Sequence, residues 1–171
     1  RATVEAVRRR LPDAAIEVLT PDFCGDLEAV MRVASAPVDV FNHNVETAPR
    51  LYKRVRPRAR YEQSLAVLQT VAENLPDTTV KSGFMVGLGE TADEIFALMD
   101  DLKAHGVDIV TIGQYLRPSI KHVPVVSYLK EEAYQAFVDY GREIGLASVF
   151  AGPFVRSSYN AAEALRLANS G

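Results

Sequence analysis

Short apolar runs rich in Val, Ile and Phe alternate with longer amphipathic stretches along all 171 residues of the chain. The apolar runs predict strands, at Ala15–Thr20, Val38–Asn42, Thr79–Val86, Val107–Tyr115 and Ala147–Ala151. The amphipathic stretches predict helices, at Thr3–Leu11, Asp26–Ala34, Arg60–Asn74, Thr91–Ala104 and Lys130–Ile144. Apolar strands that alternate with helices favour an α/β fold in which a parallel sheet is covered by helices.

Polar residues follow four of the predicted strands directly. They form Pro21-Asp22, the segment NHNVE at 42–46, GLGE at 87–90 and QYLRPS at 114–119. In barrels, functional groups gather at the carboxyl ends of several successive strands. An open doubly wound sheet instead places its ligand at one switch point. The pattern therefore favours a barrel or a partial barrel.

Composition excludes several classes of protein. The chain has 19 Lys and Arg against 22 Asp and Glu, a net charge of −3, which argues against a protein that coats nucleic acid. No apolar run approaches the roughly 18 to 20 residues of a transmembrane helix. The single cysteine, Cys24, excludes an internal disulfide framework and an all-cysteine metal site built by this chain alone. Without a linker or repeat, residues 1–171 are predicted to form one domain.

The segment NHNVE at 42–46 is the densest group of polar side chains. Two amides, an imidazole and a carboxylate could bind ribose hydroxyls, an ammonium group or a metal. In an extended segment, Asn42, Asn44 and Glu46 point to the same side. A metal site is the weaker interpretation, because His105 and His122 are isolated and distant in sequence.

The glycine-rich segment at 83–90 follows the third predicted strand. It lacks the Gly-Lys-Ser/Thr of a Walker loop and the spacing of a dinucleotide-binding motif. A tight turn between strand and helix explains it without a ligand. Alternatively, its glycines let the backbone approach a ligand closely.

The segment Arg50–Arg60 carries six basic residues among eleven. A solvated basic helix followed by a turn is one interpretation. A second is a clamp for a carboxylate or phosphate, with Arg56 held extended before Pro57. A third is a contact surface for an acidic protein partner.

The segment GPFVRSSYN at 152–160 ends the patterned part of the chain. Its paired serines are typical of a helix N-cap. Cys24, which follows a predicted strand, is interpreted as a passive small residue rather than a reactive thiol, because no His or Lys is near it in sequence.

Six segments taken together resemble one family, lipoyl synthase of the radical S-adenosylmethionine superfamily. They are PDF at 21–23, VFNHNVET at 40–47, RLYKRVRPRARY at 50–61, KSGFMVGLGET at 81–91, GQYLRPS at 113–119 and GPFVRSSY at 152–159. The resemblance implies a partial (β/α)6 barrel that binds S-adenosylmethionine and two [4Fe–4S] clusters. It also implies insertion of two sulfurs at C6 and C8 of a protein-bound octanoyl-lysine by 5′-deoxyadenosyl radical chemistry.

The resemblance also implies roles for residues at the strand ends. Asn44 and Glu46 would hold the ribose and methionine parts of S-adenosylmethionine, and Arg56 would lie near its carboxylate. The turn on the adenosyl side would comprise Gly87, Gly89 and Glu90.

Two further regions match the family. Gln114 to Leu116 would meet the adenine through their backbone. Ser158, or alternatively Ser157, would ligate the auxiliary cluster. No catalytic residue beyond this serine is expected within the chain.

Family members carry a C-x4-C-x5-C and a C-x3-C-x2-C triplet that bind the clusters, and this chain has neither. We therefore expect an incomplete barrel made of the latter βα units, with an RSSY tail at 152–171, that is inactive by itself. Two alternatives stay open: another radical S-adenosylmethionine sulfur-insertion enzyme, such as a biotin synthase or methylthiotransferase relative, or a non-catalytic half-barrel that binds a ligand.

The resemblance also implies partners and a location. The expected partners are octanoylated lipoyl-carrier domains, of a 2-oxoacid dehydrogenase E2 component or the glycine-cleavage H protein, and a reductant protein. No nucleic acid and no membrane is expected. The expected location is the cytoplasm in a bacterial-like cell, or the mitochondrion if the source is eukaryotic.

Overall fold

The computed structural model describes residues 1–168 and contains one parallel sheet of five strands. The strands are β1 Glu17–Leu19, β2 Val40–Asn42, β3 Thr79–Val86, β4 Ile109–Gln114 and β5 Ser148–Gly152. They pair side by side in chain order, each parallel to its neighbour. No switch point interrupts this order, which is the arrangement of a barrel wall rather than of a doubly wound sheet.

Seven α-helices accompany the strands in the described part of the chain. They are α1 Ala2–Arg10, α2 Leu27–Ala34, α3 Tyr52–Val55, α4 Tyr61–Asn74, α5 Ala92–Ala104, α6 Glu131–Glu143 and α7 Ala161–Ala168. Short 3₁₀ turns occupy Phe23–Gly25 and Pro49–Leu51. Within residues 1–168, none of the helices has both the length and the apolar character needed to cross a bilayer.

The helices cover one face of the sheet. Parallel strands joined in sequence by right-handed crossovers place every intervening helix on the same side. The main hydrophobic cluster accordingly joins alternate strand residues, such as Phe41, Val80 and Val110, to Leu68 of α4 and Leu98 of α5. The α/β partial-barrel class predicted from the sequence is confirmed.

The opposite face of the sheet is the concave side of the partial barrel, and it carries polar groups. Lys81 is fully buried there, and its ammonium lies 2.9 Å from Glu17 Oε2. Asn42 donates to the other oxygen of the same carboxylate at 2.8 Å. The register places Asn42 beside Lys81. These three residues join β1, β2 and β3 beneath the carboxyl ends of the strands.

The five predicted strands and five predicted helices are all present, with ends that differ by a few residues. The capping box of Thr91 and Glu94 is formed, and Gly106 follows α5 with φ +77°. The short helix α3 lies in the basic segment, where a helix followed by a turn was one interpretation, and the terminal helix α7 begins after the serine pair that is typical of an N-cap. The RSSY tail expected at 152–171 extends past the described residues, since 169–171 lie outside them.

Candidate functional site

A cavity of about 250 Å³ opens at the carboxyl ends of β2, β3 and β4. Parallel strands all end at the same edge, so residues far apart in sequence meet there. The walls come from four chain segments: Asn44 and Glu46; Gly83, Phe84 and Met85; Thr111, Gly113, Gln114 and Leu116; and Val155, Arg156 and Ser157.

The segment after β2 is fixed against β3. Glu46 donates its N–H to the Gly83 carbonyl at 3.0 Å, and its own carbonyl accepts from Met85 at 2.9 Å. Glu46 adopts φ +69°, a left-handed conformation that non-glycine residues seldom occupy. This turn places the side chains of Asn44 and Glu46 on the cavity wall.

Asn44 presents an unsatisfied acceptor to the cavity. Its Oδ1 atom is buried and has no hydrogen-bond partner among the described residues. Asn42 Oδ1, Thr47 Oγ1 and Ser82 Oγ are also buried without a partner, but of these four residues only Asn44 lines the cavity, where a ligand donor could pair with it. A Cβ added to Gly83 would lie 3.1 Å from this oxygen and would overlap the Thr111 hydroxyl. The absence of a side chain at Gly83 therefore lets Thr111 and Asn44 pack closely on β3 at the cavity wall.

A second glycine, Gly113, allows close packing on the β4 side of the same cavity. A Cβ on Gly113 would overlap the Val155 carbonyl and lie 3.3 Å from Arg156 Nη1. The segment after β5 thus packs directly over β4. It brings the guanidinium of Arg156 and the half-buried Ser157 to the rim.

Gln114 is held in place by the protein itself. Its Nε2 donates to the carbonyls of Val86 and Ser127 at 3.1 and 3.0 Å. Its Oε1 accepts from Leu129 N–H and from the Tyr134 hydroxyl, both at 3.1 Å. The side chain therefore ties the end of β4 to the loop before α6, while the residue also contributes to the cavity wall.

Buried hydrogen bonds hold the segment NHNVE in place. The Nδ1–H of His43 donates to the Thr20 carbonyl at 2.9 Å, because a carbonyl can only accept, and Nε2 lies 3.0 Å from Ser64 Oγ. Burial lowers the pKa of His43 below its ordinary value of 6.5. Tyr52 donates to the Val45 carbonyl at 2.6 Å, and burial raises the pKa of this phenol.

Arg56 lies behind the same segment. Its Nη1 donates to the carbonyls of Asn44 and Val45 at 3.2 and 3.4 Å, and the guanidinium stacks over the Tyr52 ring at 5.7 Å. The side chain is thus anchored on the backbone that carries Asn44, and it is not part of the cavity wall. Its predicted contact with a ligand carboxylate stays a prediction.

The turn after β3 is closed by Glu90. Its carboxylate accepts from the N–H groups of Gly87 and, at 2.9 Å, Leu88. Gly87 and Gly89 have φ of +96° and +106°, which glycine adopts without strain. Arg50 reaches across to the Gly89 carbonyl at 2.8 Å and to both oxygens of Glu94. These contacts, together with a cap on Thr91, lower the pKa of Glu94 to about 2.

The cavity brings together part of the predicted site. Asn44, Glu46, Gln114, Leu116 and Ser157 line it. The predicted residues outside its wall are Arg56, Gly87, Gly89, Glu90 and Ser158. The roles predicted for both groups stay predictions.

Seven wall residues were not among the predicted site residues: Gly83, Phe84, Met85, Thr111, Gly113, Val155 and Arg156. Strand alternation could have found Thr111 and Gly113, because Gly83 pairs with Thr111 and Met85 with Gly113 on the same face. Arg156 belongs to the segment GPFVRSSYN, but nothing in its sequence context distinguishes it from a surface arginine.

Potential metal ligands are scattered. Among the residues that the structure describes, no three His, Cys, Asp or Glu side chains gather as a metal site would require. Cys24, the only cysteine in the sequence, is exposed in the turn after β1. Ser158 is exposed, whereas Ser157 is half-buried.

Comparison with known proteins assigns the fold to a family. Residues 2–113 match the model of the Radical SAM superfamily. The chain belongs to the radical SAM superfamily. Curated relatives agree: a lipoyl synthase of Rubrobacter xylanophilus is 52% identical over 162 residues, which are 95% of this chain and 50% of that protein.

Two further relatives extend this result. A lipoyl synthase of Methylococcus capsulatus is 48% identical over 161 residues, covering 94% of this chain and 50% of the relative. A lipoyl synthase of Caldanaerobacter subterraneus is 50% identical over 160 residues, covering 94% of this chain and 56% of the relative. The resemblance to lipoyl synthase is confirmed, and this radical SAM chain spans about half the length of the curated relatives it matches.

Proposed function

We propose that this chain forms the S-adenosylmethionine-binding part of a lipoyl synthase, which inserts sulfur at C6 and C8 of a protein-bound octanoyl-lysine. The observation that carries the proposal is the cavity at the strand ends, whose wall includes Asn44, with its buried and unpaired Oδ1, and the side-chain-free backbone of Gly83. The similarity to three lipoyl synthases supports the choice of lipoyl synthase over another sulfur-inserting member of the superfamily.

The chemistry of the cavity suits S-adenosylmethionine. Asn44 Oδ1 offers an acceptor, the Glu46 carboxylate suits ribose hydroxyls or an ammonium group, and Ser157 adds a hydroxyl. The volume of about 250 Å³ is slightly below the usual range for ligand pockets, so the ligand would extend past these walls.

The described residues do not fit an iron–sulfur cluster by themselves. Such clusters are held by several cysteine thiolates, whereas this chain has one cysteine, and that residue is exposed. A serine of the pair Ser157-Ser158 would supply at most one ligand. The two [4Fe–4S] clusters that we propose for the complete enzyme therefore take their cysteine ligands from outside these 171 residues.

S-adenosylmethionine supplies radical chemistry when it is cleaved reductively. The residues of this chain bind and orient it. Gly83 and Gly113 let Thr111 and the segment Val155–Arg156 pack closely on the strands to form the wall, and the turn at Glu46 brings a carboxylate to the same cavity. Leu116, which is 49% exposed at the rim, provides an apolar surface suited to an acyl chain.

The proposal includes partners and location. The substrates are octanoylated lipoyl-carrier domains, of a 2-oxoacid dehydrogenase E2 component or the glycine-cleavage H protein, and a reductant protein supplies electrons. The curated relatives named above come from bacteria. On this basis we place the enzyme in the bacterial cytoplasm.

Titration calorimetry of the purified chain with S-adenosylmethionine tests the proposal. Gly83→Ala should abolish the binding heat, because the added methyl would displace the Thr111 hydroxyl and crowd Asn44 Oδ1 in the cavity wall. Asn44→Ala should weaken binding by roughly 5- to 100-fold, the usual effect of losing one or two hydrogen bonds in a buried site.

Gly152→Ala is the matched control. Its Cβ would meet only Val155 Cγ2 at 3.4 Å, an ordinary contact, and the residue lies outside the wall of the cavity. This variant should bind S-adenosylmethionine like the unmodified chain. Equal binding by the Gly83→Ala and Gly152→Ala variants would place the ligand elsewhere and contradict the proposal.

A further inference from the structure

The basic segment Arg50–Arg60 divides into two groups of side chains. Arg50 is bound to Glu94 and to the Gly89 carbonyl, and Arg56 is bound to the backbone of Asn44 and Val45. The remaining four residues of this segment are exposed, and in the described part of the chain their side chains form no hydrogen bond or ion pair; they are Lys53, Arg54, Arg58 and Arg60. We call these four the basic patch.

The basic patch is unusual within this protein. The chain as a whole has a net charge of −3, yet residues 50–60 contain six basic residues and no acidic one. Elsewhere, the exposed residues Arg1, Arg32 and Arg142 are paired with carboxylates, whereas the adjacent Arg9 and Arg10 are exposed without an ion pair in the described part of the chain. Four unpaired like charges repel one another, and this repulsion is relieved when an anionic surface meets them.

The patch lies next to the candidate site. Arg56 lies between Arg54 and Arg58 in sequence, and its guanidinium contacts the backbone carbonyl of Asn44, which lines the cavity. A macromolecule held by the patch is therefore placed beside the opening. This arrangement suits a substrate whose reactive group is carried by a protein.

Neighbouring side chains favour a protein over a nucleic acid or a membrane. Tyr52 and Tyr61, the aromatic residues adjoining the patch, are 5% and 7% exposed and cannot stack on bases. Leu51 is buried, and no exposed large hydrophobic residue lies within 50–60 to insert into a lipid surface.

We infer that the basic patch docks an acidic face of the protein that carries the acyl substrate. The inference rests on the proposed function and adds to it the surface through which the carrier is recognised. Charges at the rim of an interface act mainly on the association rate and on its dependence on salt. The patch therefore governs the encounter with the carrier rather than the chemical step.

The test uses the full-length enzyme with an octanoylated lipoyl domain as the probe. Lys53→Gln/Arg54→Gln and Arg58→Gln/Arg60→Gln should each weaken association about fivefold at low ionic strength, and the quadruple variant about 25-fold. These differences should largely disappear at about 0.5 M salt, where screening is strong. In turnover assays KM for the domain should rise while kcat is unchanged.

Arg9→Gln/Arg10→Gln is the matched control. Both residues are exposed, and within residues 1–168 their side chains form no hydrogen bond or ion pair. They end α1 just before β1, at the opposite end of the barrel from the cavity. This variant loses the same charge and should bind the lipoyl domain normally. A loss of affinity equal to that of the patch variants would show a general charge effect and overturn the inference.

Further experiments distinguish a failure of the docking inference from a failure of the proposed function. An octanoyl-lysine tripeptide lacks the acidic face, so the patch variants should convert it at the unmodified rate. If the unmodified enzyme converts neither substrate, the proposed function fails regardless of the patch. If the patch variants lose binding to phosphatidylglycerol vesicles or to duplex DNA but keep full affinity for the lipoyl domain, the docking inference is wrong.

Discussion

Gly87 and Gly89 provide a sharp test of what the turn after β3 does. Both have positive φ, +96° and +106°, so alanine at either position adopts a strained left-handed backbone. That strain costs about 1 to 2 kcal/mol of unfolding free energy in each variant. The two positions differ in the space around them.

A Cβ on Gly87 would overlap Gln114 Nε2 and the Ser127 carbonyl, whereas one on Gly89 would meet only Val126, at 3.5 Å or more. Gln114 could make room only by giving up its bonds to buried carbonyls, at about 1 kcal/mol each or more. With two such bonds lost, Gly87→Ala should lower the free energy of unfolding by about 4 kcal/mol, and Gly89→Ala should lower it by about 1.5 kcal/mol.

Urea unfolding of the two variants measures this difference in the free energy of unfolding, and the m-value should be the same for both. S-adenosylmethionine titration of Gly89→Ala then asks whether the turn also contacts the ligand, because this variant should remain folded. Equal destabilisation by the two substitutions, or a larger effect at Gly89, would refute the reasoning from the space around each glycine. Gly152→Ala again serves as the control, since its Cβ has room and its φ is not positive.

Three further outcomes are expected. Burial lowers the pKa of His43, so below pH 6.5 the unfolded chain binds a proton that the folded chain does not. The contribution of His43 to the free energy of unfolding should therefore be fully present above pH 6.5 and should fall below it by at most about 1.4 kcal/mol per pH unit. The variant His43→Asn, which keeps a donor toward Thr20, should show a smaller pH dependence in urea unfolding. Lys81→Met should cost about 3 kcal/mol by leaving the Glu17 carboxylate without its cation, and Lys81→Met/Glu17→Met should recover most of that loss; a double variant as unstable as the single one would contradict this. Finally, the isolated chain should form no 5′-deoxyadenosine after iron–sulfur reconstitution and reduction, because it has one cysteine; detection of this product by chromatography would show otherwise.

The elements of the fold could be predicted because each has a local cause. Strand β3 carries Val80, Phe84 and Val86, which are residue types enriched in strands, and α5 begins at a capping box that four residues are enough to encode. Helix α3 was only one of three interpretations of its segment, because its four residues, Tyr52–Val55, are too few for a periodic pattern to develop.

Long-range pairs could not be predicted from local pattern. Lys81 lies within an apparently apolar run, and its partner Glu17 is 64 residues away on another strand. Only the register of β1, β2 and β3 brings them together. The same limit applies to the basic segment, where nothing local distinguishes Arg50 and Arg56, which are bound, from the four residues of the basic patch.

The polar residues at the strand ends have two different roles, and hydrogen bonding separates them. A tight turn leaves backbone groups that need partners, and Glu90 and Gln114 satisfy such groups with nearly all of their own polar atoms. Asn44 instead keeps a buried oxygen without a partner on the cavity wall. A residue whose polar atoms are already hydrogen-bonded within the protein has few atoms left to bind a ligand. A buried polar atom without a partner instead destabilises the protein, and a ligand that hydrogen-bonds to it removes this penalty. Substitution of Asn44 should therefore affect ligand binding more than stability, and substitution of Glu90 or Gln114 should do the reverse.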